Sequence, residues 1–324
     1  MCPSVGSEVV EASMDYDPAP DSVGVAAAPT PASAPARAPW TERLSDSLQN
    51  AIKVLIGSNR KPPRRLKSLL HGTGGGHPLH PAITDVPIGA WLLTVILDII
   101  WLTDASANDW AARAAVVTVI AGFVASLGAA VTGMADWSDS YGAERQVGLL
   151  HGSLNSLAIL VYLASIILRL SDGRAHDTTL AAILGFVGMA LVFTAAYLGG
   201  DMVFVKGTNV NHTAWEAAGE DYEPVLAEAD ATANTLYRVT AAGVPVLLLK
   251  LDGKFYAISA TCSHAGGPLD EGELQGDVVQ CPWHGSRFRV RDGRPVTGPA
   301  TVAQPRYDVR VRDGQIEVKR IGGH

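Results

Sequence analysis

Between Thr261 and Phe288 the chain reads TCSHAGGPLDEGELQGDVVQCPWHGSRF, which sets Cys262-Ser-His264 against Cys281-Pro-Trp-His284 with sixteen residues between the two clusters. Thiolate and imidazole together suit borderline-soft metals, and two such loops can close around one centre. Zinc is one reading, although zinc ligand pairs usually keep two or more residues between partners and Cys-x-His is tighter than that habit. The flanks are strand-like: LYRVTAAGVPVLLLKLDGKFYAISA precedes the clusters, and RFRVRDGRPVTGPA and RYDVRVRDGQIEVKR follow. Asp-Gly pairs at Asp252, Asp292 and Asp313 divide these runs as hairpin turns. An all-β domain is expected over residues 236–321.

Outward from this domain the composition changes character. The 324 residues are 48% hydrophobic and only 18% charged, so part of the chain is expected in a membrane bilayer. The formal net charge of -7 supplies no basic field, and no nucleic-acid partner is expected. Three cysteines, two of them in the clusters, exclude a disulfide scaffold, and Cys2 is given no role. Residues 1–39, rich in Ala, Pro, Ser and Asp, read as a disordered tail without the pattern of a secretory signal.

Residues 40–70 form an amphipathic and basic juxtamembrane segment. Leu44, Leu48, Ile52, Leu55 and Ile56 recur at helical spacing, which suits a helix lying on a membrane surface or packed on the protein itself. The RRLK at Arg64 is read as a plain basic anchor rather than an export signal. Residues 71–205 hold four apolar runs, Val86–Thr103, Ala111–Met134, Gly148–Leu170 and Thr179–Gly199, each long enough to cross a bilayer. Short polar loops make neighbours antiparallel, and four runs with no wet face exclude a soluble bundle. Arg60, Lys61, Arg64, Arg65 and Lys67 precede the first run, whereas the loop from Asp104 to Trp110 has neither Lys nor Arg. The N-terminus is therefore expected in the cytoplasm, although Arg169 and Arg174 in the third loop count against it. Four spans return the C-terminal domain to the same side of a multi-pass protein of the cell (inner or plasma) membrane, across a polar linker at 206–235. Asp98, inside the first span, is expected to pair with Arg113 or to mark a polar path.

The pairs Cys262-Ser-His264 and Cys281-Pro-Trp-His284-Gly-Ser, with the AGGPL and GPA turns, resemble the Rieske iron-sulfur signature. The resemblance implies a 2Fe-2S cluster with Cys262 and Cys281 on one iron and His264 and His284 on the other. Neutral imidazoles in place of two thiolates make the added electron easier to accept, within about -150 to +300 mV for the class. High-potential members carry a second Cys pair and a Tyr two places after the HGS serine; here there is no spare Cys and Phe288 stands at that place. The domain thus resembles the ferredoxin type, with Ser286 left as a donor to the cluster. Rieske oxygenases add a mononuclear iron module needing two His and a carboxylate. Beyond His284 the sequence has one histidine, His324, so a complete oxygenase is not expected.

The apolar half resembles a family of uncharacterised bacterial four-helix membrane proteins that begin with HPLHP, here His77 to Pro81. Ionisable groups in a bilayer are suspects for function. His80 and His151 open the first and third runs, and Asp136 and Asp201 close the second and fourth, all at one end. A faint repeat relates them: His80 leads to GFV at Gly122 and Asp136, and His151 to GFV at Gly185 and Asp201. Such a set can cap helix ends and pair with Arg145 or backbone, hold haem or a second metal, or pass protons. The expected protein is a multidomain chain, a four-span transmembrane bundle followed by an all-β Rieske domain. It would carry single electrons between a cytoplasmic reductase and a membrane or soluble acceptor. The alternative is a membrane-anchored redox sensor or transporter with a regulatory iron-sulfur domain.

Overall fold

A computed structural model of the protein describes residues 40–57, 65–171, 178–217, 219 and 221–321. The expectations for the 1–39 tail, Cys2, Arg60, Lys61, Arg64, Arg174 and His324 lie outside them. Among the described residues six α-helices come first: α1 (Trp40–Ile56), α2 (Arg65–His71), α3 (Leu79–Thr103), α4 (Asp109–Trp137), α5 (Gly142–Ser171) and α6 (Thr178–Gly200), the last continuing as a π-helix over Asp201–Val205. Four of them, of 25, 29, 30 and 27 residues, are long and apolar enough to cross a membrane. They form an antiparallel bundle in which α3 pairs with α4 and α5 with α6. Leu93, Ile96, Val117, Val124, Leu160, Ile167 and Phe193 face outward, as side chains against lipid do. The helices start earlier than their apolar runs. Pro81, in the first turn of α3, removes an N–H that has no helical partner there, so the helix begins at Leu79.

The bundle is built twice over, in a register that the GFV match mistakes. His80 and His151, Trp91 and Tyr162, and Asp98 and Arg169 each stand 71 residues apart, and each pair meets across the bundle. Trp91 stacks on Tyr162 with ring centroids 4.0 Å apart and planes 10° from parallel. Trp91 Nε1 donates to Val119 O at 3.3 Å, and Tyr162 Oη donates to Gly185 O at 3.2 Å. Gly122 packs on Trp91 as Gly188 packs on Tyr162. The shift between α4 and α6 is therefore 66 residues, which sets Met202, not Asp201, opposite Asp136 in the repeat. A Cβ at Gly188 would lie 2.7 Å from the Tyr162 ring, whereas one at Gly89 meets nothing within 4 Å. Gly188→Ala is expected to cost about 1–3 kcal/mol, several degrees of melting temperature in detergent, and Gly89→Ala nothing. Equal melting of both variants would refute the close packing.

The short amphipathic helix resolves its two readings together. Its polar side faces the bundle: Gln49 Nε2 donates to Trp137 O and Ser140 O, both at 2.9 Å, and Arg145 pairs with Glu42 and Asp46. Trp40, Leu44, Leu48, Val54 and Leu55 stay exposed. A helix held by its polar face with its apolar face outward is suited to the membrane interface.

Among the described residues ten strands follow: β1 (Glu223–Ala227), β2 (Leu236–Ala241), β3 (Val244–Leu251), β4 (Lys254–Ser259), β5 (Glu273–Gln275), β6 (Val278–Gln280), β7 (Arg287–Arg289), β8 (Pro295–Thr297), β9 (Arg306–Arg312) and β10 (Gln315–Arg320). They form two antiparallel sheets, ordered β1-β10-β9-β4-β3-β2 and β5-β6-β7-β8. Strand β3 is buried on both faces. Leu247, Leu249 and Leu251 pack with Ile258, Phe288, Cys262 and Cys281, while Val246 and Leu248 pack with Val239, Tyr307 and Ile316. Asp252-Gly253 and Asp313-Gly314 both have positive φ, as a type I′ hairpin requires, and so has Ala242-Gly243, which carries no Asp. The expected linker is corrected at its far end, since β1 pairs with β10 inside it. Its near end is also seated: His212 N donates to Ser263 O at 3.0 Å, and Asn209 Nδ2 to Asp136 Oδ2 at 3.2 Å.

Candidate metal centre

The two Cys-His loops are one turn made twice. Cys262 N donates to Gly267 O and Cys281 N to Ser286 O, both at 2.8 Å. Each cysteine's carbonyl accepts from the glycine four residues on, Gly266 or Gly285, and both glycines have φ of 76°. A side chain is strained in that conformation, which accounts for glycine in both loops. The histidine is third in one loop and fourth in the other. The two sulfurs lie within hydrogen-bonding reach of each other, and the two imidazoles meet edge to face with centroids 4.9 Å apart.

The donor chemistry, two thiols and two imidazoles, fits an iron-sulfur cluster. The hydrogen bond between the thiols pushes Cys262 up, with burial adding to it, and draws Cys281 down to about 7. Backbone N–H groups of His264 and Ala265 point at the Cys262 sulfur, and those of Trp283 and His284 at the Cys281 sulfur, so negative charge on both is supported. Burial holds His264 well below the usual histidine range, hence neutral, and its buried Nδ1 has no hydrogen-bond partner. Gly267 sits where a Cβ would come within 2.9 Å of the Cys281 sulfur. Ser286 Oγ accepts the Ala300 N–H at 3.0 Å, which leaves its own proton to donate.

The histidine edge faces the bundle. His284 is buried, stacked on Tyr141 at 5.0 Å between centroids, with its Nε2 3.8 Å from Glu144 Oε2. Gly298 lies against Thr73 and His71, and a cleft of about 230 Å3 runs between His264, Ser263, His77 and Asn209. None of Tyr141, Glu144 or His71 announces this in the sequence, because the contacts span more than a hundred residues and follow no local period.

The four membrane residues share an end but do not form one site. His80 Nδ1 bonds Ala129 O at 2.9 Å, and His151 Nδ1 bonds Ala195 O at 2.8 Å. Asp136 is engaged by His71 Nδ1 at 2.7 Å and by Asn209, and Asp201 by Lys206. The expected gathering of two His and two Asp is thereby corrected: only the histidines meet, at 6.3 Å between centroids. Among the described residues no three His, Cys, Asp or Glu side chains surround one point as a mononuclear site needs. Arg145 serves α1 instead. Asp98 pairs not with Arg113, which is bound to Asp109, but with Arg169, by two bonds of 2.9 and 2.6 Å.

An antiparallel β domain that presents two Cys and two His from twin loops, behind a helical membrane domain, defines a membrane-attached iron-sulfur protein. Residues 221–308 match the Rieske 2Fe-2S domain family, and residues 76–212 the family described as Predicted membrane protein (DUF2231). Ferredoxin CarAc of Metapseudomonas resinovorans is 38% identical over 29% of this chain and 89% of its own length. The ferredoxin component of biphenyl 2,3-dioxygenase from Rhodococcus jostii (strain RHA1) is 32% identical over 31% of this chain and 92% of its own. The solved ferredoxin of carbazole 1,9a-dioxygenase from Nocardioides aromaticivorans IC177 is 29% identical, over 31% of this chain and 98% of that one, with a TM-score of 0.30. The chain belongs to the Rieske 2Fe-2S family, as a ferredoxin-type domain joined to a DUF2231 membrane domain, and a Rieske domain implies a 2Fe-2S cluster.

Proposed function

We propose that this chain is a membrane-bound one-electron carrier that accepts electrons from a cytoplasmic reductase and delivers them to an acceptor at or in the membrane. Cys262 and Cys281 would hold one iron of the cluster and His264 and His284 the other, with Ser286 donating to it. The cluster supplies one-electron chemistry at a potential set by two imidazoles and by the N–H groups around its sulfurs. The observation that carries the reading is the seating of the histidine edge on Tyr141 and Glu144 at the bundle end. Ferredoxins similar to the β domain include components of biphenyl 2,3-dioxygenase and anthranilate 1,2-dioxygenase, which supports a reductase as donor. The haem or second metal considered for the membrane domain enters only through His80 and His151, since both aspartates are engaged elsewhere.

A cytoplasmic location for this end is supported by Arg65 and Lys67 and by the fate of Arg169. Counted as a loop charge, Arg169 opposes the orientation; inside the bundle on Asp98 it is no loop charge at all. A reporter fused after His324 is expected on the cytoplasmic side and one inserted at Asn108 on the other. An external C-terminal reporter would reverse the orientation and place the electron donor outside the cell membrane.

A further inference from the structure

We propose that α1 docks on the lipid surface around the bundle and, through the turn between α4 and α5, fixes the seat of the cluster's histidine edge, so that electron delivery depends on the bilayer. The turn is short. Four residues, 138–141, join Trp137 at the end of α4 to Gly142 at the start of α5. Helix α1 grips both shoulders of it: Gln49 Nε2 donates to Trp137 O and Ser140 O, and Arg145 pairs with Glu42 and Asp46. Gln146 Nε2 donates to Glu42 Oε1 at 2.6 Å, and Lys53 Nζ lies 3.7 Å from Asp139 Oδ1. Trp137 Nε1 closes the turn on itself by donating to Arg145 O at 2.9 Å. The same turn carries Tyr141 and leads into Glu144, the two residues that meet His284. The segment 137–145 therefore touches α1 and a cluster ligand at once.

Ser45 and Gln49 are buried, so one face of α1 is taken up by the protein. The exposed stripe is Trp40, Leu44, Leu48, Ala51 and Leu55, which recur at every third or fourth position, with Val54 beside it. Val54 and Leu55 are each 74% exposed. A contiguous apolar stripe marks an interaction surface, and a helix with Trp and Leu along one face settles at the boundary between headgroups and acyl chains. The bilayer is the occupant at hand. Helices α4 and α5, on which α1 packs, are two of the four spans, so the membrane that encloses them is continuous with the outer face of α1. With lipid on one face and the turn on the other, α1 passes the level of the bilayer surface to Tyr141 and Glu144. That consequence rests on the carrier reading above, though the lipid contact does not.

The test uses the full chain, with Cys2→Ser, in nanodiscs of phosphatidylcholine and phosphatidylglycerol. A spin label at Val54→Cys is expected to be more accessible to oxygen than to a water-soluble nickel chelate, as a site among acyl chains is. The line shape of the 2Fe-2S electron paramagnetic resonance signal is read beside it, with Tyr141→Ala as the reference for a cluster that has lost its seat. Leu48→Glu/Leu55→Glu changes only exposed side chains, so iron content should stay that of wild type. The label should nevertheless lose its protection from the nickel chelate, and the signal should shift to that of the Tyr141→Ala reference. Glu42→Ala/Gln49→Ala cuts the grip on the turn instead: the label should stay in lipid while the signal shifts. A water-exposed label without either substitution, or one shielded by a second copy of the chain rather than by lipid, would overturn the lipid contact. A signal unmoved by both double variants would overturn the coupling. A signal unmoved by Tyr141→Ala itself would instead overturn the seat on which the carrier reading stands and leave the lipid contact, read from the label, in place.

Discussion

Cys281→Ser or His284→Ala is expected to abolish the 2Fe-2S electron paramagnetic resonance signal and to destabilise the β domain. Both residues sit in loops closed by short backbone bonds, and the sulfurs belong to the same buried cluster as Leu247, Leu249 and Phe288. A cluster bound only by the folded loops stabilises them by linkage, about 2.7 kcal/mol at a hundredfold excess over its dissociation constant. For a domain near one hundred residues that is roughly 10–20 °C of melting temperature. Ser286→Ala should keep the signal, since the serine does not supply a ligand. Iron content and signal unchanged in the His284 variant would refute the ligand assignment, and zinc in place of iron in anaerobically prepared wild type would refute the cluster.

Asp98→Ala and Arg169→Ala should each destabilise the bundle by about 3–5 kcal/mol, because either one strands a charge in an interior without water. The pair is fully buried, its guanidinium is also bonded to Ser165 Oγ at 3.2 Å, and Gly185 leaves no room for a solvating side chain. The double variant Asp98→Leu/Arg169→Leu should recover most of the loss, since no charge is left unpaired. Thermal unfolding in detergent measures all three. Single variants within about 1 kcal/mol of wild type would mean that the pair is solvated, and the membrane interior would then contain a polar path.

Ser286 and Phe288 show how the β domain could be read from its letters. A ligand loop is local: the Cys, the His, the glycine of positive φ and the carbonyl five residues on all lie within one turn, so their spacing in sequence is their geometry. Hairpins are equally local, and the Asp-Gly pairs at 252 and 313 close as expected, whereas the Ala-Gly turn at 242 offers no side-chain signal. Length and apolarity likewise suffice for the four spans, because a bilayer imposes both on any helix that crosses it.

Which membrane residues meet was decided elsewhere. The ionisable groups of the bundle had more than one candidate partner, and the choice depended on how the helices are rotated and what packs on their ends. Asp136 went to His71, Arg145 to α1 and Arg169 to Asp98. The sequence carries the repeat, but GFV is a common apolar triplet and aligns it three residues out; the true register appears only where Trp91 meets Tyr162 and both lie against glycine. Local order thus determined the cluster loops, the strands and the spans. Tertiary packing alone brought His80 to His151 and His284 to Glu144, because contacts between distant segments depend on how faces are turned toward each other, which no single stretch of sequence encodes.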